Sequence, residues 1–178
     1  VVGEGAGFFV LKRLSDAVAA GDTIHGVLRG AGLSNDIGGS LFAPDSEGQL
    51  RAMRDAYRAA GWSPGDVQLI ECHGTGTLLG DATEFQSLCE LWSEESWWPG
   101  QAVIGSGKSN VGHLLTGAGA AGLAKVLLAM RHGELPPTAS FVEPAPALTE
   151  EDTPFRVLGE AEAWEPADGG PRRAAVSA

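Results

Sequence analysis

Two glycine-rich loops constrain this 178-residue chain more than any other feature. Each is entered from a short apolar run, and each carries a histidine. The first, His73-Gly74-Thr75-Gly76-Thr77, ends the run at 67–72. The second, Gly105-Ser106-Gly107-Lys108-Ser109-Asn110-Val111-Gly112-His113, follows Val103-Ile104 and leads into the apolar stretch 114–130. That order predicts strand, tight loop and helix, with functional groups at the carboxyl ends of the strands. One helix is expected over 111–131. Lys108 and His113 would stand at or near its N-terminus, where free N–H groups and the helix dipole favour negative charge. Both loops are expected to face one pocket.

The rest of the chain reads as a layered α/β fold around a largely buried sheet. Gly7-Phe8-Phe9-Val10-Leu11 has the continuous apolar character of a strand buried on both faces. Residues 14–20 predict a short helix ended by Gly21, and 24–34 a long strand whose glycines suggest bends or bulges. A loop is expected over 35–46. A helix follows over 47–60, with Gly61 as its C-cap. A strand over 67–72, a helix over 81–92 and a tryptophan-containing loop over 93–101 come next. Beyond the 111–131 helix lie a proline-rich connection over 135–154, late strands over 155–158 and 173–176, and a turn at Asp168-Gly169-Gly170.

Charge and cysteine usage narrow the function. Twelve basic against 23 acidic residues leave a formal charge of −11. That argues against nucleic acid or an anionic membrane as the main partner. An acidic carrier protein would need a local basic cluster, for which Arg51, Arg54 and Arg58 are candidates. Cys72 and Cys89 give neither a disulfide framework nor metal-ligand spacing, which suits a reducing, cytoplasmic setting. The most apolar window, 111–130, is broken by glycines and contains His113 and Lys125, so it reads as a buried helix. The sequence has no signal peptide, opens without Met and stops in an apolar run, as a piece of a larger chain would.

Several residues could carry chemistry. His73 meets a loop whose Thr75 and Thr77 offer hydroxyls to a polar ligand chain; the alternative is a threonine-capped turn with a surface histidine. Asp81 and Glu84 share one face at a helix start, where acids commonly serve as dipole partners. A buried Lys108 needs a carboxylate, and a Glu84–Lys108 pair would hold the two loops in register. At a helix start His113 would favour the neutral form and could donate an N–H to a developing oxyanion; the alternative is a local hydrogen bond. His25 and His132 suggest no function. Strand alternation turns Cys72 away from His73, and Cys89 reads as packing. Trp92, Trp97 and Trp98 fit either a partner surface or a loop cover.

Glu71-Cys72-His73-Gly74-Thr75-Gly76-Thr77 with Gly80-Asp81-Ala82-Thr83-Glu84 resembles the first histidine motif of the β-ketoacyl synthases, a family of thiolase-like αβαβα fold. The stretch from Gly105 to His113 resembles that family's lysine–histidine motif. Val2-Gly3-Glu4-Gly5-Ala6-Gly7 and Pro136-Pro137-Thr138 match in order and approximate spacing. The helix that follows and Cys72 look most like polyketide or polyunsaturated-fatty-acid synthase members.

The resemblance implies a decarboxylative Claisen condensation between an acyl thioester and a malonyl-type thioester. It makes His73 and His113 oxyanion donors, with Lys108 fixing the loop, Glu84 its partner and Asp81 in support. Thr75 and Thr77 would bind the phosphopantetheine arm, with Asn110 a further substrate-binding residue. It implies no cofactor bound by this chain, substrates carried on the phosphopantetheine of acyl carrier protein, and a homodimer. The family's Cys-Ser-Ser nucleophile motif is missing here, as is its Gly-Phe-Gly-Gly ending. The expected division is therefore 1–34 as the tail of an N-terminal ketosynthase half and 35–178 as the C-terminal half, with the cysteine on another part of the protein. The alternative is a condensation-inactive homologue, a chain-length factor or a decarboxylating or structural partner. A thiolase or other acyl-CoA enzyme fits the Lys-Ser-Asn-x-Gly-His pattern poorly, and no nucleotide-binding pattern occurs.

Overall fold

The structure is a computed structural model that describes residues 1–35, 45–144, 152–166 and 169–178. Most of the expected 35–46 loop, part of the 135–154 connection and Asp168 lie outside the described residues.

Parallel pairing builds the core. Strands β1 (Leu69–Glu71), β2 (Ala102–Gly105), β4 (Phe155–Arg156) and β6 (Ala174–Val176) form one sheet in the order β4-β2-β1-β6, with all three pairings parallel. Every residue of β1 is buried, as strands covered on both faces require. Register sorts the side chains: Leu69 pairs with Val103 and Ile70 with Ile104. Leu69 and Val103 pack with Val126 and Ala129 of helix α5 (Ala118–His132). Ile70 and Ile104 pack on the opposite face with Leu50 of α2 (Ser46–Ala60) and Leu88, Leu91 and Trp92 of α3 (Leu78–Trp92). Helices therefore cover both faces, giving the layered α/β architecture read from the sequence. Trp92 is fully buried edge-on to Phe155 at 5.2 Å, Trp97 packs against the same core, and Trp98 is exposed.

Local signals hold well. Helix α1 (Leu14–Ala20) ends at Gly21 and α2 at Gly61, both in the left-handed region at φ 69°. Asp45 caps α2 by accepting Glu47 N–H at 3.0 Å. The strands come out shorter than their apolar runs. An antiparallel ribbon of β3 (Glu134–Leu135) with β5 (Glu162–Ala163) appears where no strand was expected.

Two expected strands do not form. Among the described residues 7–11 and 24–34 join no sheet, and Phe8 and Val10 are 96% and 99% exposed. An apolar run signals burial, but a strand also needs a neighbour to take its backbone hydrogen bonds. The glycines of 24–34 are close-approach sites rather than bulges. A Cβ on Gly30 or Gly32 would collide with the carbonyl oxygens of Ala56 or Ala52 in α2, and one on Gly26 would stand 2.6 Å from Leu127 of α5.

The 111–131 helix is also corrected. It is split into α4 (Lys108–Val111), Gly112 at φ 75°, a 3-10 turn Leu115–Gly117 and then α5. His113 lies in the break and heads no helix. Leu115 at φ 51° occupies a left-handed conformation that costs about 1 kcal/mol or more for a residue with a side chain.

Candidate active site

The two loops emerge side by side from the carboxyl ends of β1 and β2. The ladder continues past β1 as Cys72 N–H donates to Gly105 O at 2.7 Å, so alternation sends Cys72 into the core and His73 to the opposite side. Burial pushes the Cys72 thiol well above its ordinary value, and the Glu84 and Glu71 carboxylates raise it further. A thiol held protonated in this way is a poor nucleophile.

Glu84 has a different task from the one expected. Its buried carboxylate accepts His73 N–H at 2.7 Å and Gly74 N–H at 2.8 Å, one bond to each oxygen. Asp81 accepts Gly76 N–H at 3.2 Å. The two acids of α3 thus clamp the backbone of the first loop. The Glu84–Lys108 pair is not made: Lys108 has no ion pair among the described residues. The ion pair that forms here is Glu71 with Lys125 of α5, Nζ to Oε2 at 2.6 Å, while Glu71 Oε1 reaches the second loop by accepting Gly107 N–H at 2.6 Å. Alternation explains the exchange. Glu71 shares the face of Leu69, which looks toward α5 and its Lys125, whereas Glu84 rides on α3 across the sheet.

Ser106 adds a second link. It is buried, its hydroxyl lies 3.4 Å from His73 O, and its Cβ would stand 2.8 Å from any Cβ placed on Gly74. Gly74 sits at φ 40°, so glycine suits both the space and the conformation. Sequence reading missed Ser106, Glu71 and Lys125. The usable signal was a glutamate ending an apolar strand and a lysine inside an apolar helix.

His113 is fixed by its backbone and its ring. Its N–H donates to Val1 O at 2.9 Å, and its carbonyl accepts Gly3 N–H at 3.0 Å. Leu115 N–H donates to His113 Nδ1 at 3.1 Å. A ring nitrogen that accepts cannot carry the proton, so the neutral ring is the Nε2–H tautomer, a donor at its far end. The strained Leu115 stands where its amide reaches this ring.

The rings of His73 and His113 approach edge-to-face, with centroids 5.4 Å apart at 85°. Burial moves the His73 pKa below its ordinary 6.5. Lys108 and then His113 depress it further, against the opposing carboxylates of Glu84 and Asp81. Lys108 therefore acts on the site through charge. His73 Nδ1 is buried with no hydrogen-bond partner among the described residues. The site brings together His73, held toward its neutral form, and His113, whose Nδ1 accepts the Leu115 N–H, with a lysine beside them.

The expected binding residues are less enclosed. Thr75 and Thr77 hydroxyls lie 3.2 Å apart at the head of α3, and Thr77 is exposed. Asn110 is exposed on α4, its Oδ1 3.3 Å from Ser109 Oγ. The arginines of α2 form no uncompensated basic patch: Arg51 pairs with Glu47, Arg54 with Glu90 and Arg58 with Asp55. No helix among the described residues is long and apolar enough to cross a membrane.

Comparison with known proteins gives the family. Residues 25–142 match the family model described as beta-ketoacyl synthase, C-terminal domain. Polyketide synthase PksL of Bacillus subtilis is 43% identical over 178 residues, covering 99% of this chain and 4% of that protein. The 5-methyl-1-naphthoate synthase of Streptomyces sahachiroi is 44% identical over 176 residues, covering 98% of this chain and 10% of that protein. Among solved structures, the ketosynthase from module 6 of the bacillaene synthase of Bacillus subtilis superposes with a TM-score of 0.86 at 41% identity, over 93% of this chain and 30% of that one. The chain thus spans under a third of each of these relatives. Its thiolase-like fold and these matches together show that it belongs to the β-ketoacyl synthase family, whose C-terminal domain is matched by residues 25–142.

Proposed function

We propose that this chain is the histidine-bearing part of a β-ketoacyl synthase in a polyketide synthase, acting in decarboxylative Claisen condensation. The observation that carries the reading is the His73–His113 pair, two imidazoles 5.4 Å apart, with His73 held toward its neutral form and the His113 ring oriented by the Leu115 N–H on its Nδ1. In this reaction the bond between the α-carbon and the carboxylate of a malonyl-type thioester breaks. CO2 leaves, and the electron pair passes into an enolate whose oxygen takes hydrogen bonds from the two rings. The α-carbon then attacks an acyl thioester on a cysteine, forming the carbon–carbon bond as the thiolate departs. Neither Cys72 nor Cys89 suits that nucleophile: Cys72 is buried and held protonated, and Cys89 packs against the α3 core.

The remaining roles follow from this reading. Lys108 keeps the pocket positive, while Glu84 and Asp81 hold the loop that presents His73. Thr75 and Thr77 bind the amides of a phosphopantetheine arm on acyl carrier protein, and Asn110 is a further substrate-binding residue. The cysteine resides in an N-terminal ketosynthase half, to whose tail residues 1–34 belong; the exposed Phe8, Val10 and Leu33 are suited to packing against that half. A homodimer and a cytoplasmic setting complete the proposal.

The test is His113→Ala in the complete synthase, with release of CO2 from a malonyl thioester as the readout. Removal of one oxyanion donor lowers such a step about 100-fold or more. Near-normal decarboxylation would sink the assignment.

A further inference from the structure

Glu71 is the last residue of β1, and its side chain is only 5% exposed. One of its oxygens accepts Gly107 N–H at 2.6 Å and the other meets Lys125 Nζ, itself 19% exposed, at 2.6 Å. Gly107 is the residue from which α4 starts, and Lys125 lies mid-way along α5. A single carboxylate therefore ties together the strand that carries His73, the loop that carries Lys108 and His113, and the helix below. Small residues clear its path: a Cβ on Gly122 would stand 2.9 Å from Glu71 Cγ, and one on Gly107 3.2 Å from Oε1.

A buried ion pair adds little net stability over an apolar replacement, because desolvation offsets most of its attraction. What it supplies is geometry. We propose that Glu71, oriented by Lys125, is a positioning residue that seats the 106–113 loop on the end of β1 and so sets His113 beside His73. The inference rests on the condensing-enzyme reading above and adds to it two residues that touch no substrate.

The experiment follows two steps separately in the complete synthase: acylation of the protein thiol, by intact mass, and decarboxylation of a malonyl thioester. A displacement of about 1 Å in a catalytic group lowers rates about 100-fold. Glu71→Ala is expected to lower the kcat of decarboxylation by about that factor and to leave thiol acylation intact. Lys125→Met, which keeps the Gly107 bond, is expected to produce a smaller loss of the same step. The double variant Glu71→Gln/Lys125→Met keeps an acceptor for Gly107 N–H and buries no unpaired charge; it should recover most of what Glu71→Gln alone loses. A merely structural pair would lower both steps together, and that result overturns the proposal, as does full decarboxylation in both Glu71→Ala and Lys125→Met. If the unaltered synthase performs neither step, the ketosynthase reading fails, and hydrogen exchange decides the positioning claim by itself. Faster exchange of the 107–113 amides in Glu71→Ala upholds the claim, and unchanged exchange overturns it.

Discussion

Replacing Glu84 separates a clamp from an ordinary surface acid. Its carboxylate takes one backbone N–H on each oxygen, from His73 and Gly74, in a buried setting. A hydrogen bond to a charged group contributes about 1.5–3 kcal/mol net, so Glu84→Ala, which removes two, should destabilise the domain by about 3–6 kcal/mol. Glu84→Gln keeps one acceptor and turns an NH2 group toward the other amide, so about half that loss is expected. Glu90, on the same helix, is the control. It is 50% exposed and paired with Arg54 at 3.5 Å, and Glu90→Ala should stay within about 0.5 kcal/mol. Urea unfolding of the ketosynthase domain, compared through midpoints at constant slope, measures all three. A cost for Glu84→Ala below about 1 kcal/mol would refute the claim that this carboxylate holds the first loop.

Two further outcomes follow from charge and burial. The pKa of His73 is depressed, so the unfolded chain binds a proton that the folded chain resists; stability is complete above pH 6.5 and is lost as pH falls through the folded pKa. Lys108→Met should move the His73 titration, followed by NMR, back toward 6.5, and Glu84→Gln should move it the other way; two shifts of the same sign would contradict the electrostatics described. In native protein at neutral pH, Cys72 should resist a thiol alkylator that labels it readily in denaturant, and equal labelling in both states would refute its burial as a protonated thiol.

How far the sequence could be read depends on how local each signal was. Gly21 and Gly61 end their helices because a left-handed residue is needed there and glycine adopts it cheaply. The His73 and His113 loops come together because each ends a strand of one parallel sheet, a relation that residue order alone announces. Apolar character was less informative. The runs at 7–11 and 24–34 had the composition of strands, but composition does not supply a neighbouring backbone, and glycines read as bulges in 24–34 proved to be places where that segment meets α2 and α5. The stretch 111–131 held the most apolar window of the chain, yet its first residues are shaped by the backbone bonds of His113 to Val1 and Gly3 and by the Leu115 amide on the His113 ring.

The misassigned lysine partner shows where local reading stops. Glu71 and Glu84 are both glutamates close to the first loop, and propensity does not say which one meets a cation. The alternation of β1 does, once the side occupied by α5 is known: Leu69 and Glu71 point the same way, and Leu69 packs with Val126, the neighbour of Lys125. Glu84 belongs to the opposite layer and finds instead the two amides at the end of the strand it covers. The ionic partnership was thus fixed by layer membership, a property of the sheet as a whole. One physical consequence follows. The two carboxylates hold the two histidines from opposite faces of the same strand, so movement of either layer relative to β1 changes the separation of the rings. The 5.4 Å contact between His73 and His113 therefore depends on how α3 and α5 pack across β1, beyond the contacts within either loop.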